Sequence, residues 1–149
     1  MRGQYLTVEY LIFFMIGVFM IISVYFTFSN LNNTYRDSIM QNQLQMTGEL
    51  ISGTIINVYE AANSTNSNIS YNLSIPAKLS NCIYSINITK KAILSGTLPI
   101  DTLNINCTNV PNKGIALTLY NFNISNKNII YSTNGLLKIF AYNGRVELS

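Results

Sequence analysis

The hydrophobic pattern changes character twice along the chain. From Tyr10 to Phe28, nineteen residues run with only Ser23 and Thr27 as polar interruptions. After Asn30 polar residues return. Apolar ones nevertheless recur at Met40, Leu44, Ile51, Ile55, Val58 and Ala62, at spacings of three, four or seven. That is the 3.6-residue period of a helix face, and Ile39, Met46, Leu50 and Tyr59 widen the stripe. No proline appears before Pro76. The pattern predicts one continuous helix from about Leu6 to Ala62, apolar all round in its first half and amphipathic in its second. At the standard rise it would be about 85 Å long. Gly48 and Gly53 each cost about 1 kcal/mol against alanine inside a helix. They mark close packing against the head or a hinge, and Gly17 invites the same two readings.

The polar run Asn63–Asn68 is expected to end the helix. Beyond it the period shortens to two. Ile69, Tyr71, Leu73 and Ile75 alternate with polar residues. So do Cys82, Tyr84, Ile86 and Ile88, and then Leu103, Ile105 and Cys107. Further strands are expected at Ile115–Asn121, Asn128–Ser132, Leu136–Tyr142 and Arg145–Leu148. Asn134-Gly135 and Asn143-Gly144 read as type I′ hairpin turns. Pro99 and Pro111 suit turns or strand ends. The fold class is therefore α+β. A long N-terminal helix precedes an antiparallel head of six or seven strands, a small sandwich or partial barrel with the amphipathic half-helix on one face. The expected divisions are a leader at 1–3, the helix at 4–62 with its apolar segment at 10–28, and the head at 63–149.

Nineteen helical residues span about 28 Å, close to the hydrocarbon thickness of a bilayer. In lipid each backbone amide must be satisfied internally, so helix is the only suitable conformation. Arg2 precedes the run and no Lys or Arg follows until Arg36. The positive-inside rule keeps the N-terminus in the cytoplasm and sends the rest out. The run is too long for an ordinary secretory signal, and no small-x-small cleavage site follows it. Glu9 is the odd residue. A carboxylate drawn into apolar packing is costly unless paired. Cleavage after Gly3 would create an α-amine on Gln4, able to neutralise Glu9 of a neighbouring chain.

Arg2-Gly3-Gln4, then Thr7-Val8-Glu9-Tyr10-Leu11 and the apolar run, resembles the class III signal of archaeal type IV pilin-like proteins. The family pattern is a short basic leader ending in Gly, Gln after the cut, a hydroxyl residue, a Glu and a long hydrophobic helix. The resemblance implies processing at Gly3/Gln4 by a prepilin peptidase, and assembly through Glu9 and the Gln4 amine. It also implies a helical homopolymer built by a pilus assembly platform and its ATPase. Glu9 is the sixth residue counted from Gln4, where the family pattern has it fifth. The cut therefore falls after Gly3 or after Gln4. The long helix and β head are also similar in layout to archaeal pilins and archaellins.

Composition narrows the remaining chemistry. The chain has 149 residues, 48% hydrophobic and only 10% charged, and 21 of them are Asn. A polar but uncharged body rich in β-branched and aromatic residues suits an extracellular β domain rather than a disordered one. Net charge is +3, and Lys90-Lys91 is the only adjacent basic pair. No basic stripe points to nucleic acid. There is no His, and the six acids are dispersed. The usual catalytic triads and most zinc sites are thereby excluded, and neither catalysis nor a cofactor is expected. Cys82 and Cys107 read as one disulfide of an exported domain, with two unpaired buried thiols as the other reading. Asn-x-Ser/Thr occurs seven times. Asn63, Asn68, Asn72, Asn87 and Asn123 are the glycan candidates. Asn106 is disfavoured beside a cysteine, and Asn32 within the helix.

Three functional classes follow. The first is the filament subunit, membrane-held with its N-terminus inside until it is extracted to the cell surface. The second is a minor pilin or adhesin with the same handle. The third is an unprocessed, membrane-tethered β domain that binds a partner.

Overall fold

The computed structural model describes residues 2–91, 100–119, 123–126 and 129–149. The side chains of residues 2–7, 91, 100, 123, 125 and 126 lie outside that description, as does the whole of Pro99. So do the ends of two expected strands, at Tyr120–Asn121 and at Asn128. Helix α1 runs Arg2–Thr65. The chain divides into two compact units, Met1–Ser38 and Ile39–Ser149.

The first unit is helix alone. Its polar interruptions are dealt with inside the helix. Thr27 donates its hydroxyl to the Ser23 carbonyl at 2.8 Å, and Thr34 to the Asn30 carbonyl at 2.9 Å. Such back-bonding lets a hydroxyl exist on an apolar helix without needing water.

The second unit holds the remainder of α1 and eight strands: β1 (Ile69–Ser74), β2 (Tyr84–Lys91), β3 (Ile100–Cys107), β4 (Gly114–Leu119), β5 (Asn123–Asn126), β6 (Ile130–Tyr131), β7 (Leu136–Tyr142) and β8 (Arg145–Leu148). They form two four-stranded sheets, in the orders β1-β7-β8-β5 and β4-β3-β2-β6, with neither closed into a barrel. Pairing is antiparallel except that β5 runs parallel to β8. No hairpin joins β5 to β8, so no tight turn imposes the opposite direction.

The helix stops where its chemistry changes, three residues later than the spacing predicts. Asn66 takes φ 48°, and the Ser67 amide reaches back to the Ala62 carbonyl at 3.2 Å. This is a Schellman cap with Asn in the left-handed position usually taken by Gly. The two Asn-Gly pairs behave differently. Asn143 and Gly144 both have positive φ and make the type I′ turn between β7 and β8. Asn134 instead ends a 3-10 turn, Ser132–Asn134, that Gly135 caps at φ 66°. The flanking strands β6 and β7 belong to different sheets, so this pair joins layers rather than a hairpin.

One core serves the whole unit. Met40, Leu44, Ile51, Ile55, Val58 and Ala62 are all buried, as the helical spacing predicts. They cluster with the inward residues of both sheets, among them Tyr84, Ile86, Leu103, Ile105, Leu137 and Ile139. Tyr59 packs half-buried against this cluster. Ile39, Met46 and Leu50, expected to widen the stripe, are exposed instead. Tyr71 is likewise exposed at an expected inward position, while Leu73 on the same face of the edge strand β1 is buried.

Buried polar groups tie the layers together. Asp101 on β3, only 2% exposed, accepts the Ile124 amide of β5 at 3.1 Å, linking the two sheets. The buried Ser132 hydroxyl accepts from the Tyr84 amide at 3.2 Å and donates to the Ala77 carbonyl at 2.8 Å. Each is satisfied, as a buried polar group must be to avoid a cost of about 1–3 kcal/mol.

Gly48 and Gly53, in the second half of α1, have different surroundings. A Cβ on Gly48 would stand 2.5 Å from Ile115 Cδ1 and 2.8 Å from Leu117 Cδ1, so α1 approaches β4 closely there. A Cβ on Gly53 would meet nothing within 4 Å. Gly53→Ala should raise unfolding stability by about 1 kcal/mol in the detergent-solubilised chain. Gly48→Ala should give no such gain, because two side chains must move, and Gly48→Leu should cost about 1–3 kcal/mol. Equal gains at both glycines in chemical unfolding would contradict the packing described.

Tyr84 predicts an alkaline limit. Its hydroxyl donates to the Pro76 carbonyl at 2.7 Å, and burial pushes the phenol from 10.0 up to about 12. The fold therefore favours the neutral form. Its contribution is whole below pH 10 and is lost as pH climbs from 10 towards 12, where the unfolded chain ionises first. Unfolding measured across that range should show falling stability, and Tyr84→Phe should flatten the slope.

Candidate assembly site

The candidate site begins with a helix whose apolar side chains are exposed. Phe14, Phe19, Ile21 and Tyr25 are each 71% exposed, and Leu11, Phe13, Met20 and Phe26 are similarly bare. Among the described residues none of the apolar run is buried, and the helix is long and apolar enough to cross a membrane. Its surface is not smooth. Leu11, Met15 and Phe19 border a shallow hollow with Ile12, Ile16, Met20 and Ser23. These are the i, i+4, i+8 rows that make ridges and grooves for a neighbouring helix. Tyr25 and Phe26 meet edge to face, with ring centroids 6.3 Å apart.

Gly3 and Gln4 belong to α1, with the Gln4 side chain outside the described residues. Glu9 is exposed on the same helix. It is the sole acid before Asp37, and no Lys or Arg lies between Arg2 and Arg36. Within one chain, then, a long apolar surface carries a single carboxylate near one end.

The other predicted residues lie in the head. Cys82 and Cys107 form a disulfide with Cα atoms 5.4 Å apart, which settles the choice between a bridge and free thiols. Cys82 is fully buried, and Cys107 ends β3 opposite Tyr84. Hydrogen bonds brace the same end. Thr108 donates its amide to the Ile83 carbonyl at 2.7 Å and its hydroxyl at 2.9 Å. Asn109 accepts the Ile83 amide at 2.9 Å and donates to the Asn81 carbonyl. Among the sequon asparagines, Asn63 is exposed near the end of α1, Asn68 is exposed just before β1, and Asn72 is exposed on β1. Asn87 is half-buried on β2, and Asn123 opens β5 with its side chain outside the described residues. Asn32 and Asn106 are exposed too. Among the described residues, no group of three or more His, Cys, Asp or Glu is placed to hold a metal.

Pattern reading did not single out the surface around Asn68. There Ser70 pairs with Phe140 and Asn72 with Lys138, on the outer face of the β1-β7-β8-β5 sheet. The alternation of β7 announced which of its residues share a face. It did not announce that β1 would be their neighbour.

No protein-family model, curated protein or solved structure matches the chain. What the structure itself establishes is a layout: a long apolar N-terminal helix followed by a largely antiparallel, disulfide-bonded β region.

The disulfide encloses 24 residues between its cysteines. Reducing it should lower stability by about 3–4 kcal/mol. Urea unfolding of the detergent-solubilised chain with and without reductant measures this, and coincident curves would refute it.

Proposed function

We propose that the protein is a non-catalytic structural subunit of a type IV pilus-like filament on the cell surface. The bare apolar helix carries this reading, because a surface of that kind needs either lipid or other helices around it. Before assembly the segment spans the cytoplasmic membrane with its N-terminus inside. A prepilin peptidase removes the basic stub at Gly3/Gln4, and the assembly platform with its ATPase draws the subunit out. Identical helices then replace lipid around the apolar run. Each large side chain buried yields about 1.5–3 kcal/mol, so partial burial of the run outweighs the cost of enclosing one well-paired acid. Glu9 sets register by pairing with the freed terminal amine of a neighbour. The β heads face outward, held by the same helix.

The layout also suits a minor subunit or an adhesin on the same handle. Electron microscopy of sheared surface material tests the filament directly. N-terminal sequencing of protein from its native cells should begin at Gln4 or Tyr5, and an intact Met1 would favour a permanent tether. Glu9→Gln should leave membrane insertion unchanged and reduce filament yield by an order of magnitude or more, the effect of about 1.4 kcal/mol at the register contact. Normal filaments with Gln at this position would end the register mechanism.

A further inference from the structure

The outer face of the first sheet carries a cleft of about 490 Å³ bordered by Asn68, Ser70, Phe140, Tyr142, Glu147 and Ser149. Asn68 is the acceptor position of the sequon Asn68-Ile69-Ser70. Ser70 pairs with Phe140 and Ile69 with Ala141. Continued by one residue, this register sets Asn68 beside Tyr142. Phe140 is 37% exposed on a face that it shares with Leu136, Lys138, Ser70 and Asn72. Tyr142 is half-buried, and its hydroxyl lies 3.3 Å from Glu147 Oε2, which steadies the ring. The cleft thus combines two aromatic rings, a carboxylate and two serine hydroxyls.

The geometry points to a glycan on Asn68 that lies in this cleft, its first sugar covering Phe140 and Tyr142. A pyranose has an apolar C–H face and a polar edge. The aromatic rings match the face, and Glu147, Ser70 and Ser149 match the hydroxyls. In the attachment step, Asn68 Nδ2 forms a C–N bond to the anomeric carbon of a lipid-phosphate-linked sugar. The C–O bond to phosphate breaks, the phosphate leaves with its lipid, and the amide proton passes to a base of the transferring enzyme. The proposal rests on the export reading, since that chemistry occurs outside the cytoplasm. Asn72 shares the strand face but stands opposite Lys138, not an aromatic. Asn32 lies among Tyr25, Phe28 and Tyr35, but on the helix that the proposed packing covers.

Glycopeptide mass spectrometry of the full chain from its native cells tests the attachment. The peptide bearing Asn68 should be heavier by one or more sugar residues, and Asn68→Gln should remove that mass. The seat is tested by melting. Asn68→Gln should lower the thermal midpoint of the native protein by about 3 °C or more, as expected for loss of a modest surface contact. In a Phe140→Ser background, where the seat is gone, the same substitution should change nothing further. Unmodified Asn68 beside a modified sequon elsewhere overturns the proposal and leaves export standing. A chain with no sugar at any sequon overturns it as well, and N-terminal sequencing then decides the export reading separately. Equal midpoint losses in both backgrounds would show a glycan that does not use the cleft. Binding of free monosaccharides by unmodified protein would mark the cleft as a receptor site instead.

Discussion

A helix that is apolar on every side has no stable place in water, and that constraint governs the rest of the molecule. From Tyr10 to Phe28 the sequence offers no polar face to turn outward. Among the described residues the whole run is exposed. Even the hydroxyl of Thr27 is folded back onto the helix backbone. Removing such a segment from water is worth far more than any single contact in the head. Whatever surrounds it must therefore be apolar, whether lipid or protein.

The same helix is also indispensable to the head. Beyond Ile39, α1 contributes Met40, Leu44, Ile51, Ile55, Val58 and Ala62 to a core that includes both sheets. An isolated pair of four-stranded sheets would leave those inward positions bare. The core-forming part of α1 begins at Met40, after the apolar run has ended, so the two tasks fall on successive stretches of one helix. One covalent element meets two needs. Its first part requires an apolar environment supplied from outside, and its second part supplies one to the strands. The Schellman cap at Asn66 marks where that double duty stops and the chain turns into β1.

Much of this was legible in the residues, for identifiable reasons. Helical spacing located the buried stripe because i, i+4 and i+7 positions share a face whatever the partner. Period-two alternation located Tyr84, Ile86, Leu103 and Ile105 in the core for the equivalent reason. Alternation did not foresee that Tyr71, on the edge strand β1, is exposed while Leu73 beside it on the same face is buried. Hydrophobicity alone also overstated the helix stripe. Ile39, Met46 and Leu50 look like core residues, but the sheets cover only one sector of α1, centred on Leu44, Ile51 and Ile55. Tertiary pairing was the least legible layer. Nothing in Asn123–Asn126 announces a parallel neighbour, and nothing in Asn68 announces Phe140 and Tyr142. Such juxtapositions come from strand order, which local pattern does not encode.

Apolar contact explains why identical helices would associate, but it does not explain how they would align. Dispersion and hydrophobic burial are non-directional, so sliding one uniformly apolar helix along another changes the buried area little. A sequence with regularly spaced large residues has several nearly equivalent registers, each filling similar grooves. Discrimination must come from a group whose energy depends steeply on position. Glu9 is the single charged side chain between Arg2 and Arg36. Left unpaired among apolar side chains, its penalty would exceed the small differences between apolar registers. Paired with an amine generated by cleavage, the penalty is offset at one alignment only. In the proposed filament, attraction is therefore spread over the whole run while specificity is concentrated at one carboxylate, and cleavage of the leader becomes the event that makes that specificity available.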